Sequence, residues 1–245
     1  MNFFILYQKI LSFLLLLIIS CWLVLTFEGH PTFPIKKIKV VTSFIHIDPK
    51  KIQQIISPYT KNGFFAFQSQ GLAKELMLLP WLYNVSIQKL WPNVIEITFK
   101  EQTAFAEWNG SALLNPDGDI FYPPKDTFPE NLPKLSGKNS EAKNILQTFL
   151  EMNKLLKPLK YSISELRVDD ENTWYLTLNY DLNLLLGQKD VLSRLKLFIT
   201  IYPKIKHEKK KPTIVDLRYK NGVAIKWDDE QLPKKTKTII KNFKI

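Results

Sequence analysis

The stretch from Leu79 to Trp108 reads L-P-W-L-Y-N-V-S-I-Q-K-L-W-P-N-V-I-E-I-T-F-K-E-Q-T-A-F-A-E-W, and its periodicity decides how the rest is read. Pro80 closes a helical pattern that begins near Leu72. Val85 and Ile87 alternate with polar neighbours, as a half-buried strand requires. Trp91-Pro92-Asn93 interrupts that run, and Ile95, Ile97 and Phe99 then alternate with Glu96, Thr98 and Lys100. A helix followed by a hairpin is a compact docking unit, and no reactive group is built into it. Trp81 and Trp91 read as core side chains.

Upstream, Ile38 and Val40 alternate with lysines in a strand pattern, and Asp48-Pro49 opens a helix whose apolar face is Ile52, Ile55 and Ile56. Pro58 ends it. Gly63 to Phe67 reads as an aromatic loop before the second helix, with Leu72, Leu76 and Leu79 on one face. Residues 34–101 therefore form a strand–helix–helix–strand–strand module.

Ahead of this module, Ile10 to Phe27 carries no charge between Lys9 and Glu28, which predicts a membrane-spanning helix. No small-residue cleavage site follows Phe27, as a cleaved signal would require. Ile18-Ile19-Ser20-Cys21 is like a lipoprotein motif, but the apolar run Trp22 to Leu25 follows the cysteine. A signal anchor over 10–27 is the expectation, with a tail at 1–9 and a linker at 28–33. Lys9 on one side and Lys36, Lys37 and Lys39 on the other leave orientation open on charge alone.

Residues 102–228 read as a second, mixed domain. Short strands surround the turn Asn115-Pro116-Asp117-Gly118, and a proline-rich loop runs from Pro123 to Pro133. Ala142, Ile145, Leu146, Phe149, Leu150 and Leu156 have helical spacing, with Ser140 as cap and Pro158 as stop. Leu166 and Val168 mark a strand. Trp174 to Leu186 alternates and turns near Asn179 to Asp181. Asp190 caps a further helix that ends at Pro203. Thr213 to Tyr219 and Val223 to Trp227 close the domain as a hairpin through Asn221-Gly222. The lysine-rich tail, 229–245, reads as solvated.

Composition and motifs exclude most chemistry. The net charge is +11, yet only Arg167, Arg194 and Arg218 are arginines, so the planar fork that reads phosphates and bases is scarce. Lysine bias of this kind fits an AT-rich genome, or attraction to anionic headgroups. Cys21 is the only cysteine, which rules out an internal disulfide and a cysteine metal cluster. His30, His46 and His207 are far apart. Ser140-Glu141-Ala142-Lys143 matches S-x-x-K, but without its companion motifs it reads as a helix cap. Asp169, Asp170 and Glu171 read as an acidic turn, and no phosphate-binding glycine loop is present. The expectation is a protein with no catalytic residue, metal or cofactor.

The P-W…W-P spacing, the E-x-x-A-x-A-x-W run from Glu101 to Trp108, L-L-N-P-D-G-D-I-F from Leu113 to Phe121, and Val215 to Trp227 together resemble the FtsQ/DivIB family of bacterial cell-division proteins. The resemblance covers about 34–227. It implies an α+β chain with one transmembrane helix, a POTRA domain at 34–101 and a mixed β-sheet domain with two helices at 102–228. It also implies an inner-membrane protein at the division septum, with the N-terminus cytoplasmic and the bulk periplasmic. Its implied role is a scaffold, not an enzyme, that links early and late division proteins by binding FtsB and FtsL. The short tail 1–9 and the segment 229–245 depart from the family pattern. The alternative is a POTRA-containing outer-membrane assembly or secretion factor, which predicts several tandem modules and a barrel.

No later sheet-forming segment follows the closing hairpin, so its last strand is the expected docking edge for a strand of FtsB. Arg218 would meet an acidic partner residue, and Tyr219 and Trp227 would be aromatic anchors. Asn221, Gly222, Val223, Ala224 and Ile225 would supply the turn and the pairing strand. The alternative is that Tyr219 and Trp227 fill the domain core.

Overall fold

The computed structural model describes residues 2–27, 33–42, 45–179, 181–206, 210–219 and 222–228. The chain divides into two units, Met1–Gln102 and Thr103–Ile245. The first begins with α1, Asn2–Phe27, whose side chains are described over 7–22. Along that part Tyr7, Phe13, Leu16, Ile18 and Trp22 stand exposed. Among the described residues no helix is long and apolar enough to cross a membrane. The charge-free run continues to Phe27, beyond the described side chains, and most of the linker 28–33 lies outside the described residues.

Among the other described residues of this unit, three strands form a sheet under helices. Strand β1 (Lys37–Val41) lies parallel to β3 (Val94–Glu101), and β2 (Leu82–Leu90) pairs antiparallel with β3, in the order β1-β3-β2. Alternation along β3 buries Ile95, Ile97 and Phe99. They share the buried core with Ile52 and Ile56 of α2 (Pro49–Ile56) and Leu72 and Leu76 of α4 (Ser69–Leu76). Asp48 caps α2 by accepting the Lys50 N–H at 2.9 Å, and Pro49 sits in the first turn. Lys39 and Glu96, opposite each other across β1 and β3, form an ion pair at 2.6 Å.

Two expectations for this unit are corrected. Gly63 to Phe67 is not a loop throughout: Gly63–Ala66 forms one helical turn, α3, that buries Phe64 and turns Phe65 out. Trp81 is buried as expected and stacks on His46 at 3.8 Å, but Trp91 is 77% exposed. It stands in the turn between β2 and β3, outside the alternation of either strand.

Among the described residues of the second unit, nine strands form one sheet. The short strands β4 (Ala106–Trp108), β5 (Ala112–Leu114) and β6 (Ile120–Phe121) form one end. Next come β7 (Lys134–Ser136), β8 (Ile163–Val168), β9 (Trp174–Leu178) and β10 (Leu182–Gly187). At the other end stand β11 (Pro212–Asp216) and β12 (Ala224–Trp227), giving the order β12-β11-β10-β9-β8-β7-β4-β5-β6. Helices α5 (Ala142–Leu156) and α6 (Val191–Lys206) cover it, burying Ile145, Phe149, Met152, Leu195 and Phe198 against Leu176, Leu184 and Val215. The expected turn at Asn115 is built by its side chain, which accepts the N–H groups of Asp117 and Asp119, while Gly118 takes a φ of 78°.

Here the sequence reading errs in three places. Strand β7 was not foreseen; it is three residues long and pairs parallel with both β4 and β8, so nothing local announces it. Ser140 is not the cap of α5 but lies in a 3₁₀ turn, Asn139–Glu141, where Glu141 N–H bonds the Lys138 carbonyl. Pro203 does not end α6, which continues to Lys206 because Ile205 is buried and holds its last turn. Asp190, ahead of α6, has a φ of 54°, and its carbonyl receives the Arg194 N–H.

The Glu101 carboxylate accepts the N–H groups of Ile45, His46 and Ile47 at 3.2–3.3 Å, closing the turn that leads into α2. Removing this acceptor leaves three backbone donors without it. Glu101→Ala is expected to speed native-state amide exchange at Ile45, His46 and Ile47 about tenfold, for a cost of about 1–3 kcal/mol. Unchanged exchange at these amides would show that the carboxylate does not hold the turn.

Candidate functional site

An antiparallel strand directs the N–H and C=O of alternate residues to opposite sides in the plane of its sheet. At the end of the nine-stranded sheet, β12 pairs, among the described residues, only with β11, in the register Asp216↔Ala224, Val215↔Ile225, Ile214↔Lys226, with a bulge before Pro212↔Trp227. The Asp228 N–H bonds the Lys211 carbonyl, and the Thr213 hydroxyl donates to the Lys226 carbonyl at 3.2 Å. Ala224, Lys226 and Asp228 therefore turn their backbone groups toward β11. By alternation, Ile225 and Trp227 present theirs outward, where among the described residues no strand pairs with them.

The two ends of this sheet are not equivalent. At the far end β6 spans only Ile120–Phe121, with Tyr122, Pro123 and Pro124 following, so little ladder is on offer. The four residues of β12 carry one charge, Lys226, and no proline. Val223 and Ile225 pack against the buried core and fix the face of the strand, whereas Ala224 and Lys226 are exposed on the other face.

The expected hairpin differs from the observed one. Strand β11 stops at Asp216 and β12 starts at Ala224, so residues 217–223 connect them in place of a two-residue turn. Two interactions end β11 early. Leu217 is fully buried and its N–H stays on β10, bonded to the Leu185 carbonyl at 2.9 Å. The Asp216 carboxylate then accepts the Arg218 backbone N–H at 3.0 Å and the Arg218 guanidinium at 2.7–3.1 Å. These Arg218 hydrogen bonds hold the Asp216 carboxyl below the usual carboxylate range and push Arg218 up.

The remaining site residues fall as follows. Tyr219 is 59% exposed, which removes the alternative that it fills the core. Trp227 is half-buried beside Pro212, Gly222 is exposed, and Asn221 lies outside the described residues. The sequence reading did not include Asp216, Gly187 or Arg194. Gly187 has a φ of 79°, and a Cβ there would meet the Arg194 guanidinium and lie 3.2 Å from Arg218 Cγ. Arg194 in turn donates to the Leu186 carbonyl. An acidic residue two places before an arginine at a strand end was the signal for the Asp216–Arg218 pair. The Gly187–Arg194–Arg218 cluster is assembled by tertiary packing and has no sequence signal.

Among the described residues, the titratable side chains around this edge include no nucleophile–base pair, and no group of acidic, histidine or cysteine residues could hold a metal. What this edge offers is directional backbone pairing.

Comparison with known proteins bears on the whole arrangement. Residues 33–102 match the POTRA domain, FtsQ-type, and residues 106–218 match Cell division protein FtsQ/DivIB, C-terminal. The chain is similar to Cell division protein FtsQ of Coxiella burnetii, at 36% identity over 83% of this chain and 84% of that one. It is similar to that of Shewanella oneidensis at 32% over 82% and 76%, and to that of Escherichia coli at 30% over 89% and 82%. With similarity of this extent in both units, the chain belongs to the FtsQ/DivIB family of cell-division proteins.

Proposed function

We propose that this cell-division protein is a single-pass inner-membrane scaffold that binds FtsB, and with it FtsL, through strand addition to β12. In that role it links early and late division proteins at the septum. The outward backbone groups of Ile225 and Trp227 at the open end of the nine-stranded sheet carry the reading. An added strand would satisfy them at about 0.5–1.5 kcal/mol per hydrogen bond, with side chains supplying the rest of the affinity. Exposed Tyr219 and half-buried Trp227 flank the edge as aromatic anchors. Arg218 keeps half of its side chain exposed while forked on Asp216, so it is aimed before any acidic partner residue arrives. Ala224 and Val223 complete the pairing surface, and Asn221 and Gly222 belong to its connection.

The placement proposed with this role is N-terminus cytoplasmic over 1–9, membrane span over 10–27, linker over 28–33, and periplasmic domains over 34–101 and 102–228. The tail 229–245 lies outside the described residues. The span is supported by the 26 residues of α1, about 39 Å at 1.5 Å per residue, and by the exposure of its large apolar side chains. Such a surface is compatible with hydrocarbon and costly in water.

Both Ile225→Ala and Ile225→Pro shorten a side chain packed on the core, so the alanine variant is the control for the edge test. Only Ile225→Pro also removes an outward donor, and it leaves the N–H groups of Lys226 and Asp228 on β11. Recovery of FtsB in co-purification with the proline variant is expected to fall about tenfold below that with the alanine variant, with unchanged circular dichroism. Full recovery on a folded domain would remove the strand-pairing proposal. For the span, the full chain in vesicles is expected to stay with the lipid pellet at alkaline pH. Release into the supernatant would contradict it.

A further inference from the structure

Parallel pairing of β1 with β3 brings the entry of the chain into the POTRA unit beside the β2–β3 turn. Lys37 stands opposite Val94, and the Lys36 N–H bonds the Asn93 carbonyl at 3.0 Å. At this same end the Phe64 N–H bonds the Phe33 carbonyl at 2.8 Å, and the Phe33 and Phe65 rings meet edge to face at 5.1 Å. Lys89 near the end of β2 donates to the Phe65 carbonyl at 3.1 Å. The chain entry, α3 and the hairpin turn are thus tied into one rim. Its apolar side chains point into solvent: Phe33 is 40% exposed, Phe65 64%, Leu90 40% and Trp91 77%.

The charge around these side chains is one-sided. The segments 33–38, 61–68 and 88–94 that build the rim contain Lys36, Lys37, Lys61 and Lys89, all exposed, and no aspartate or glutamate. Aromatic side chains with a fringe of lysine are what a headgroup layer accommodates: the rings sit at the polar boundary and the ammonium groups reach anionic phosphates. Connectivity places such a layer within reach. Phe33 is six residues after Phe27, the end of α1, and six residues reach at most about 20 Å.

We infer that the rim formed by Phe33, Phe65, Leu90 and Trp91 docks on the surface of the bilayer that α1 spans, with its lysines on anionic lipid headgroups. This rests on the reading of α1 as the membrane span. Docking at this rim would seat the POTRA unit directly on the lipid. A POTRA unit held at the end of a free linker would not have this contact.

The test uses the full chain in vesicles of phosphatidylethanolamine and phosphatidylglycerol with brominated acyl chains, which quench tryptophan on contact. Trp22→Phe removes the tryptophan of α1 and leaves five. This protein is expected to lose emission on going from ordinary to brominated lipid, and the double variant Trp22→Phe, Trp91→Phe is expected to lose none. Trp91 is exposed, so its conservative replacement leaves the POTRA core in place. Equal quenching of the two proteins, with both resisting alkaline extraction, would overturn the docking and leave the span intact. Extraction of both into the supernatant would overturn the span and the docking together.

Discussion

A β-sheet satisfies the backbone groups of its interior strands and leaves those at its ends to be dealt with otherwise. Among the described residues of the second unit eight strands stack on from β6, and β12 is left with one paired side and one outward side. The rest of the site depends on this. Val223 and Ile225 pin the strand to the core, Leu217 stays bonded to β10, and the Asp216–Arg218 fork ends β11 so that Tyr219 is turned out to solvent. None of these contacts is reactive, and together they hold a short, regular edge ready for pairing.

Such preorganisation matters for a protein that works by binding. A partner segment that becomes a strand loses conformational freedom, at about 1–2 kcal/mol per residue for the backbone. Four outward groups, the N–H and C=O of Ile225 and Trp227, return about 2–6 kcal/mol in hydrogen bonds. That is too little alone, so in the proposed complex the aromatic side chains beside the edge would carry much of the specificity and affinity. The chain belongs to the FtsQ/DivIB family of cell-division proteins, and the family's C-terminal match ends at Arg218, just before this edge.

Local physics made much of the fold legible. Alternation along Ile95, Ile97 and Phe99, the Asp48-Pro49 start of α2 and the Asn115 turn follow from contacts within a few residues, and all three are observed. What escaped the sequence depends on distant partners. Strand β7 exists through β4 and β8, and buried Ile205 carries α6 past Pro203. Asn221-Gly222 is a strong hairpin signal, yet the hold of β10 on Leu217 sets where β11 stops. Trp91 reads as a core residue in the sequence because an aromatic at a turn has no periodicity to say which way it faces. For the site, the final strand was legible from its position in the chain, but its parity, with Ile225 and Trp227 outward, needed the register.

Residue-resolved amide hydrogen exchange across β12, with and without an FtsB segment, tests the central claim most directly. In the free protein the Lys226 and Asp228 amides, which face β11, are expected to exchange more slowly than those of Ile225 and Trp227. On adding the segment, strand addition predicts new protection at Ile225 and Trp227 and little change at Lys226 and Asp228. Saturating FtsB segment with no gain of protection at Ile225 and Trp227 would contradict the account.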